Sequence, residues 1–118
     1  VHPEVEELRP KLKEFLYDCA VEIRATKAAL FLADAAGKAF ELVTEYGFRG
    51  AIRTTADRND PIVDRCGRGR TPFFINGLTA EPRFSQLMYD SASERLLAAP
   101  IYLRGTLVGV IDIRDKAG

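Results

Sequence analysis

Hydrophobic and polar positions alternate in two distinct rhythms along this chain. In the first segment Val5, Leu8, Leu12, Phe15, Leu16, Cys19 and Ile23 recur at steps of three and four, with Glu6, Glu7, Lys11, Lys13, Glu14, Asp18 and Glu22 between them. That spacing predicts an amphipathic helix with one apolar face. Pro3 suits its first turn, whereas Pro10 inside it would cost about 3 kcal/mol, so a kink or a start at Pro10 is expected. Lys27 to Asp34 is then a nearly unbroken apolar run, the pattern of a strand covered on both faces. After a turn at Ala35 to Lys38, residues 39 to 46 alternate. Phe40, Leu42 and Tyr46 are assigned to one side and Glu41 and Glu45 to the other, completing an antiparallel hairpin.

Between Gly47 and Arg58 the pattern weakens, with a short strand expected near Ile52. Asp60-Pro61 is a helix start, a carboxylate cap followed by proline at the first helical position. Gly67 and Gly69 end that helix. Thr71 to Ile75 is expected as a short strand, Asn76-Gly77 as a turn, and Glu81 to Tyr89 as a second short helix broken at Ser91 to Ser93. The closing segment is the clearest. Leu96 to Leu103 and Leu107 to Ile113 are two strands joined at Arg104-Gly105, making a hairpin from Arg95 to Arg114. Pro100 is expected at a bulge or on an unpaired side, and Gly109 where something approaches the backbone closely. The order of elements implies an α+β fold, a central antiparallel sheet with helices packed on it.

Composition narrows the class. The chain has 118 residues, enough for one domain, with 47% hydrophobic and 29% charged residues and a formal net charge of zero. That balance argues against a nucleic-acid partner. No apolar stretch nears the roughly 20 residues needed to span a bilayer. Cys19 and Cys66 lack the spacing of a disulfide framework or zinc site, so a reducing, cytoplasmic setting is expected. The chain opens on Val1 and its single methionine is Met88. It is therefore expected to be a piece of a longer protein.

The stretch Ser93-Glu94-Arg95-Leu96-Leu97-Ala98-Ala99-Pro100-Ile101, followed by Gly105-Thr106-Leu107-Val108-Gly109-Val110-Ile111-Asp112-Ile113, resembles the closing hairpin of GAF domains. The upstream elements follow in that family's order, and Glu81-Pro82-Arg83-Phe84 resembles a short helix found in many members. The related PAS fold is the nearest structural rival. The resemblance implies about five or six strands, the family's usual count. It also implies an N-terminal helix on one face and, on the other, short helices and loops over a small-molecule pocket. A single such domain over 1–118 is expected, without the long terminal helix that members commonly carry. That omission would leave the first helix partly uncovered and favour a homodimer through it.

The chemistry of the side chains favours sensing over catalysis. The one histidine, His2, lies at the fragment's edge, so no Ser-His-Asp or Cys-His arrangement can be built, and imidazole-dependent metal or haem sites are disfavoured. No enzyme activity, metal or cofactor is expected. Cys66 is followed by Gly67 and lacks the histidine neighbour of bilin-binding members; it reads as a small buried apolar residue. Arg49, Arg53, Arg58, Arg65, Arg68 and Arg70 face only Asp57, Asp60 and Asp64 over their stretch. They read either as a solvated basic loop or as receivers of an anionic ligand near the helix start. The pocket-lining candidates are Phe31, Tyr46, Ile62, Cys66, Phe73, Phe84, Met88 and Asp112, each of which core packing would also explain. The expected function is a regulatory sensor domain of a bacterial-type signalling protein, acting on an output domain in the same parent chain. The alternative is a pure dimerisation module with its pocket filled by side chains.

Overall fold

The N-terminal apolar periodicity produces α1, Pro3–Glu22, which runs continuously through Pro10 rather than starting there. The computed structural model describes residues 3–34, 37–76, 82–90 and 93–115. Leu16 and Ala20 turn inward from α1 and are buried. The helix closes where Arg24 adopts a left-handed conformation (φ 59°). There the Ala25 N–H reaches back to the Ala20 carbonyl at 2.8 Å, satisfying an orphan acceptor of the last turn.

Six strands follow: β1 Lys27–Ala33, β2 Ala39–Tyr46, β3 Thr55–Asp57, β4 Phe73–Asn76, β5 Arg95–Leu103 and β6 Thr106–Arg114. They form one sheet in the order β3-β2-β1-β6-β5-β4, and each neighbouring pair is antiparallel. Two short helices, α2 Pro61–Gly69 and α3 Pro82–Asp90, flank β4 in the chain. The α+β architecture is that expected.

The apolar run of β1 resolves into two sets because side chains alternate across a strand. Ala28 and Leu30 join Leu16, Ala20, Ala25 and Val43 in a core beneath α1. Ala29 and Phe31 join Phe40, Val110, Ala98, Ile62, Cys66, Phe84 and Met88 in a second core beneath α2 and α3. The sheet is thus a wall between two apolar layers. Each fully buried large side chain, such as Leu16 or Phe31, contributes roughly 1.5–3 kcal/mol.

The closing hairpin turns through Arg104 (φ 52°) and Gly105 (φ 80°), both left-handed as a two-residue hairpin turn requires. Pro100 lies opposite Val110 of β6, while the β4 ladder stops at Ala98, so the missing N–H falls beyond the reach of β4. Gly109 is paired with Leu32; a Cβ there would sit 2.8 Å from Leu32 Cδ2 and 3.0 Å from the Phe31 carbonyl oxygen. The close approach is real.

Four expectations shift. The short strand near Ile52 is instead Thr55–Asp57. The chain turns at left-handed Arg49 and Gly50, and Ile52 anchors the following loop against the α2-side core. The expected Thr71 to Ile75 strand is Phe73–Asn76, and the second short helix is Pro82–Asp90; Gly77, Glu81 and Ser91 lie outside the described residues. Finally, β2 does not keep one phase. Leu30 pairs with Thr44 but Phe31 with Leu42, leaving Val43 as the extra residue of a bulge. Residues beyond it change face.

Candidate functional site

The α2 side of the sheet carries a polar cluster set in apolar packing. Asp60 caps α2: its Oδ1 accepts from the backbone N–H of Ile62 at 3.0 Å and of Val63 at 3.2 Å. Pro61 follows at the first helical position, and Ile62, Val63 and Cys66 fill the inward face. At the other end Tyr102 Oη donates to the Cys66 carbonyl at 2.8 Å, and the Arg70 N–H reaches the same oxygen at 3.2 Å. Arg70 itself takes the left-handed position that the glycines Gly67 and Gly69 were expected to supply.

Strand β6 contributes Asp112 and Arg114, two residues apart and therefore on one face. Both are buried, at 0% and 1% exposure. Arg114 clamps Asp112 bidentately, Nε to Oδ1 at 2.5 Å and Nη2 to Oδ2 at 2.9 Å. Its Nη1 donates to Ser93 Oγ at 3.2 Å, and the guanidinium lies 5.3 Å from the Phe48 ring centroid. Arg53, from the loop before β3, grips Asp60 through Nε at 2.5 Å and Nη2 at 3.1 Å. Its guanidinium rests over Phe31, 4.8 Å from the ring centroid. Its Nη1 lies 3.9 Å from Asp112 Oδ2 and is buried with no hydrogen-bond partner among the described residues. The result is a four-membered network of alternating charge, Asp60–Arg53–Asp112–Arg114, running from the start of α2 to the end of β6.

Cys66 lies under this network. Burial, reinforced by the negative charges of Asp112 and Asp60, pushes its thiol up to about 12. A thiol held protonated in this way is not a nucleophile near neutral pH. Among the described residues no group of three or more His, Cys, Asp or Glu is placed to hold a metal ion.

The residues predicted from sequence are largely brought together. Phe31, Ile62, Cys66, Phe84 and Met88 share the buried cluster beneath α2 and α3, with Phe73 packed against it; Phe73 meets Phe84 edge-on at 5.9 Å. Asp112 adjoins them through Arg53. Tyr46 does not belong. The bulge at Val43 turns it to the opposite face, where it packs against the α1-side core and meets Tyr17 edge-on at 5.0 Å. Two of the predicted residues also reach surface grooves. Met88 helps line one of about 610 Å³ with Asn76, Ser85, Tyr89, Ser93, Glu94 and Arg95. Phe84 helps line one of about 470 Å³ with Arg65, Arg68 and Gly69.

The arginine-rich stretch is dispersed rather than gathered round one anion. Arg58 lies over Phe40 and donates to the Gly37 carbonyl at 2.8 Å. Arg65 lies over Phe73, Arg68 pairs with Asp64 at 3.0 Å, and Arg70 lies over Tyr102. Only Arg53 of these joins the buried network. Sequence reasoning missed Arg114 and Ser93, and it treated Asp60 as a cap alone. The Asp112-x-Arg114 step within a strand was the available signal, since i and i+2 share a face.

A family model for the GAF domain matches residues 12–118. The chain belongs to the GAF family, a family of sensor and regulatory domains found in signalling proteins. Solved structures agree on the fold. The GAF domain of A. aeolicus nlh2, in an inactive state, is 18% identical with a TM-score of 0.74, covering 93% of this chain and 69% of that one. A Staphylococcus aureus NreA protein mutated in its nitrate binding site is 14% identical, TM-score 0.69, covering 98% and 89%. A type II free methionine-R-sulfoxide reductase from Thermoplasma acidophilum is 11% identical, TM-score 0.77, covering 94% and 75%. Comparison with curated protein sequences finds no match.

Proposed function

We propose that this chain is a non-catalytic regulatory sensor domain of a bacterial-type, cytoplasmic signalling protein, binding a small molecule on the α2 side of its sheet. One observation carries the reading: a charged network is buried in a layer that is otherwise apolar. Burying ion pairs is often less favourable than packing hydrophobic residues of the same volume. Asp112 and Arg114 are nevertheless enclosed, and Arg53 keeps a buried nitrogen without a hydrogen-bond partner among the described residues. Polar groups placed at such cost fit ligand recognition better than core packing. One structural neighbour is a reductase, but the protonated Cys66 thiol supports binding rather than redox chemistry here. Thermal-shift screening of a metabolite library against this chain tests the proposal. Stabilisation by at least one compound, lost on substitution of Arg53, is the expected result.

The second reading is an interaction module whose pocket is filled by its own side chains. The mutual packing of Phe31, Ile62, Cys66, Phe84 and Met88 favours it. The outer side of α1 supports self-association under either reading, because Leu8 and Phe15 are 49% and 56% exposed and lie seven residues apart. A homodimer would cover that stripe. The absence of stabilisation by any compound, together with concentration-dependent light scattering, would favour this second reading.

A further inference from the structure

The charge balance around Arg53 specifies what kind of ligand can approach it. The network holds two guanidinium groups and two carboxylates. Both oxygens of Asp112 are engaged by Arg114. Both oxygens of Asp60 are engaged by Arg53, and Oδ1 also caps the α2 N–H groups. Nearby, Glu45 Oε2 accepts from the Phe48 N–H at 2.9 Å, adding a further negative charge beside the residue that covers Arg114. No cation in the network is left over for a third anion, which would stand close to Asp112 and Asp60 in a poorly screened interior. What Arg53 offers is the hydrogen-bonding capacity of Nη1, with the Phe31 ring beneath its guanidinium. We infer that Arg53 receives a neutral hydrogen-bond acceptor, an amide- or lactam-type carbonyl on a compact apolar body, rather than an anion.

This inference rests on the proposal that the α2 side binds a small molecule, and it narrows the choice of ligand within it. It also reverses the anionic expectation drawn from the six arginines of the sequence. Access to Nη1 requires the loop carrying Arg53 to move. That loop turns through left-handed Arg49 and Gly50, and Gly50 faces open space.

The matched probes benzamide and benzoate, which share a ring and differ in charge, test the inference on the full 118-residue chain. The readout is the Arg53 side-chain Nε–H resonance in a ¹H–¹⁵N spectrum. Benzamide is expected to shift it and to bind at least about tenfold more tightly than benzoate, an advantage that a desolvated, charge-balanced site gives a neutral acceptor. Arg53→Lys keeps the charge but loses the forked donors, and should abolish benzamide binding as judged by the backbone resonances of Phe31 and Cys66. Arg58→Lys, outside the network, should leave binding unchanged. If Arg53→Lys fails to fold, the comparison of the two probes on the unsubstituted chain still decides. Tighter binding of benzoate would overturn the neutral-ligand inference and leave the sensor proposal standing. No response of Arg53 to either probe would also overturn the neutral-ligand inference, while the sensor proposal would still be decided by the thermal-shift screen.

Discussion

The two faces of the sheet solve the same burial problem in opposite ways. Beneath α1 the layer is small and apolar, built from Leu16, Ala20, Ala25, Ala28, Leu30 and Val43. Its excess apolar surface lies outside, on the solvent side of the helix. Beneath α2 and α3 the layer is larger and aromatic, and buried charge borders it. One face is held by area removed from water; the other combines that with an ion network whose members depend on one another. The difference sets the α2 side apart as the candidate site, because among the described residues charge is buried only there and one of its donors, Arg53 Nη1, has no hydrogen-bond partner.

The largest test of this contrast is Asp112→Ala. It leaves Arg114 buried without its bidentate partner and should destabilise the fold by about 3–5 kcal/mol in denaturant titration. Converting both residues to apolar side chains, Asp112→Leu with Arg114→Met, should recover most of that loss, which shows that the pair is costly to break rather than essential to folding. On the opposite face Leu16→Ala should cost about 2–4 kcal/mol through lost burial and a residual cavity, with no such rescue by a second substitution. Removal of the α2 cap by Asp60→Ala should cost about 1–2 kcal/mol and also free Arg53, so ligand response should fall together with stability.

A smaller effect is expected at the end of β6. Burial alone would raise the Asp115 carboxyl, but the N–H groups of Arg95 and Glu94 and the Lys27 ammonium outweigh it and hold the group below its ordinary value. A depressed carboxyl stabilises the fold when ionised. Its contribution is therefore complete above the ordinary carboxylate value of about 3.9 and fades as pH falls through and below it. The stability difference between this chain and Asp115→Asn should be constant near neutrality and shrink in that acid range. Least of all, Phe15→Glu on the outer side of α1 should change stability by under about 0.5 kcal/mol while weakening any self-association seen by light scattering. A chain whose association is unaffected would place the dimer contact elsewhere.

Much of the fold was legible because its signals are local. The helical spacing of α1, the Asp60-Pro61 start of α2, and Gly105 in the closing turn each follow from short-range sterics and hydrogen bonding. Tyr46 shows where this fails. Alternation from Phe40 onward placed it with Phe31, yet one extra residue at Val43 reversed its direction. Nothing in that alternation marks a bulge, because its position depends on which β1 residue lies opposite. Arg53 was likewise visible only as one arginine among six. Its distinction comes from contacts with Asp60, seven residues away, and with Asp112 and Phe31, much farther along the chain.

The sequence by itself determined the elements and their order, the two-sided burial of β1, the family resemblance and most of the residues gathered beneath α2. Only the tertiary structure decided that Asp112 and Arg114 form a closed pair, that Arg53 bridges them to the cap of α2, and that Tyr46 serves the other face. The physical reason is range. Backbone propensity and periodicity act within a few residues and are written along the chain. Charge pairing, desolvation and sheet register depend on which distant segments meet, and the folded sheet decides that.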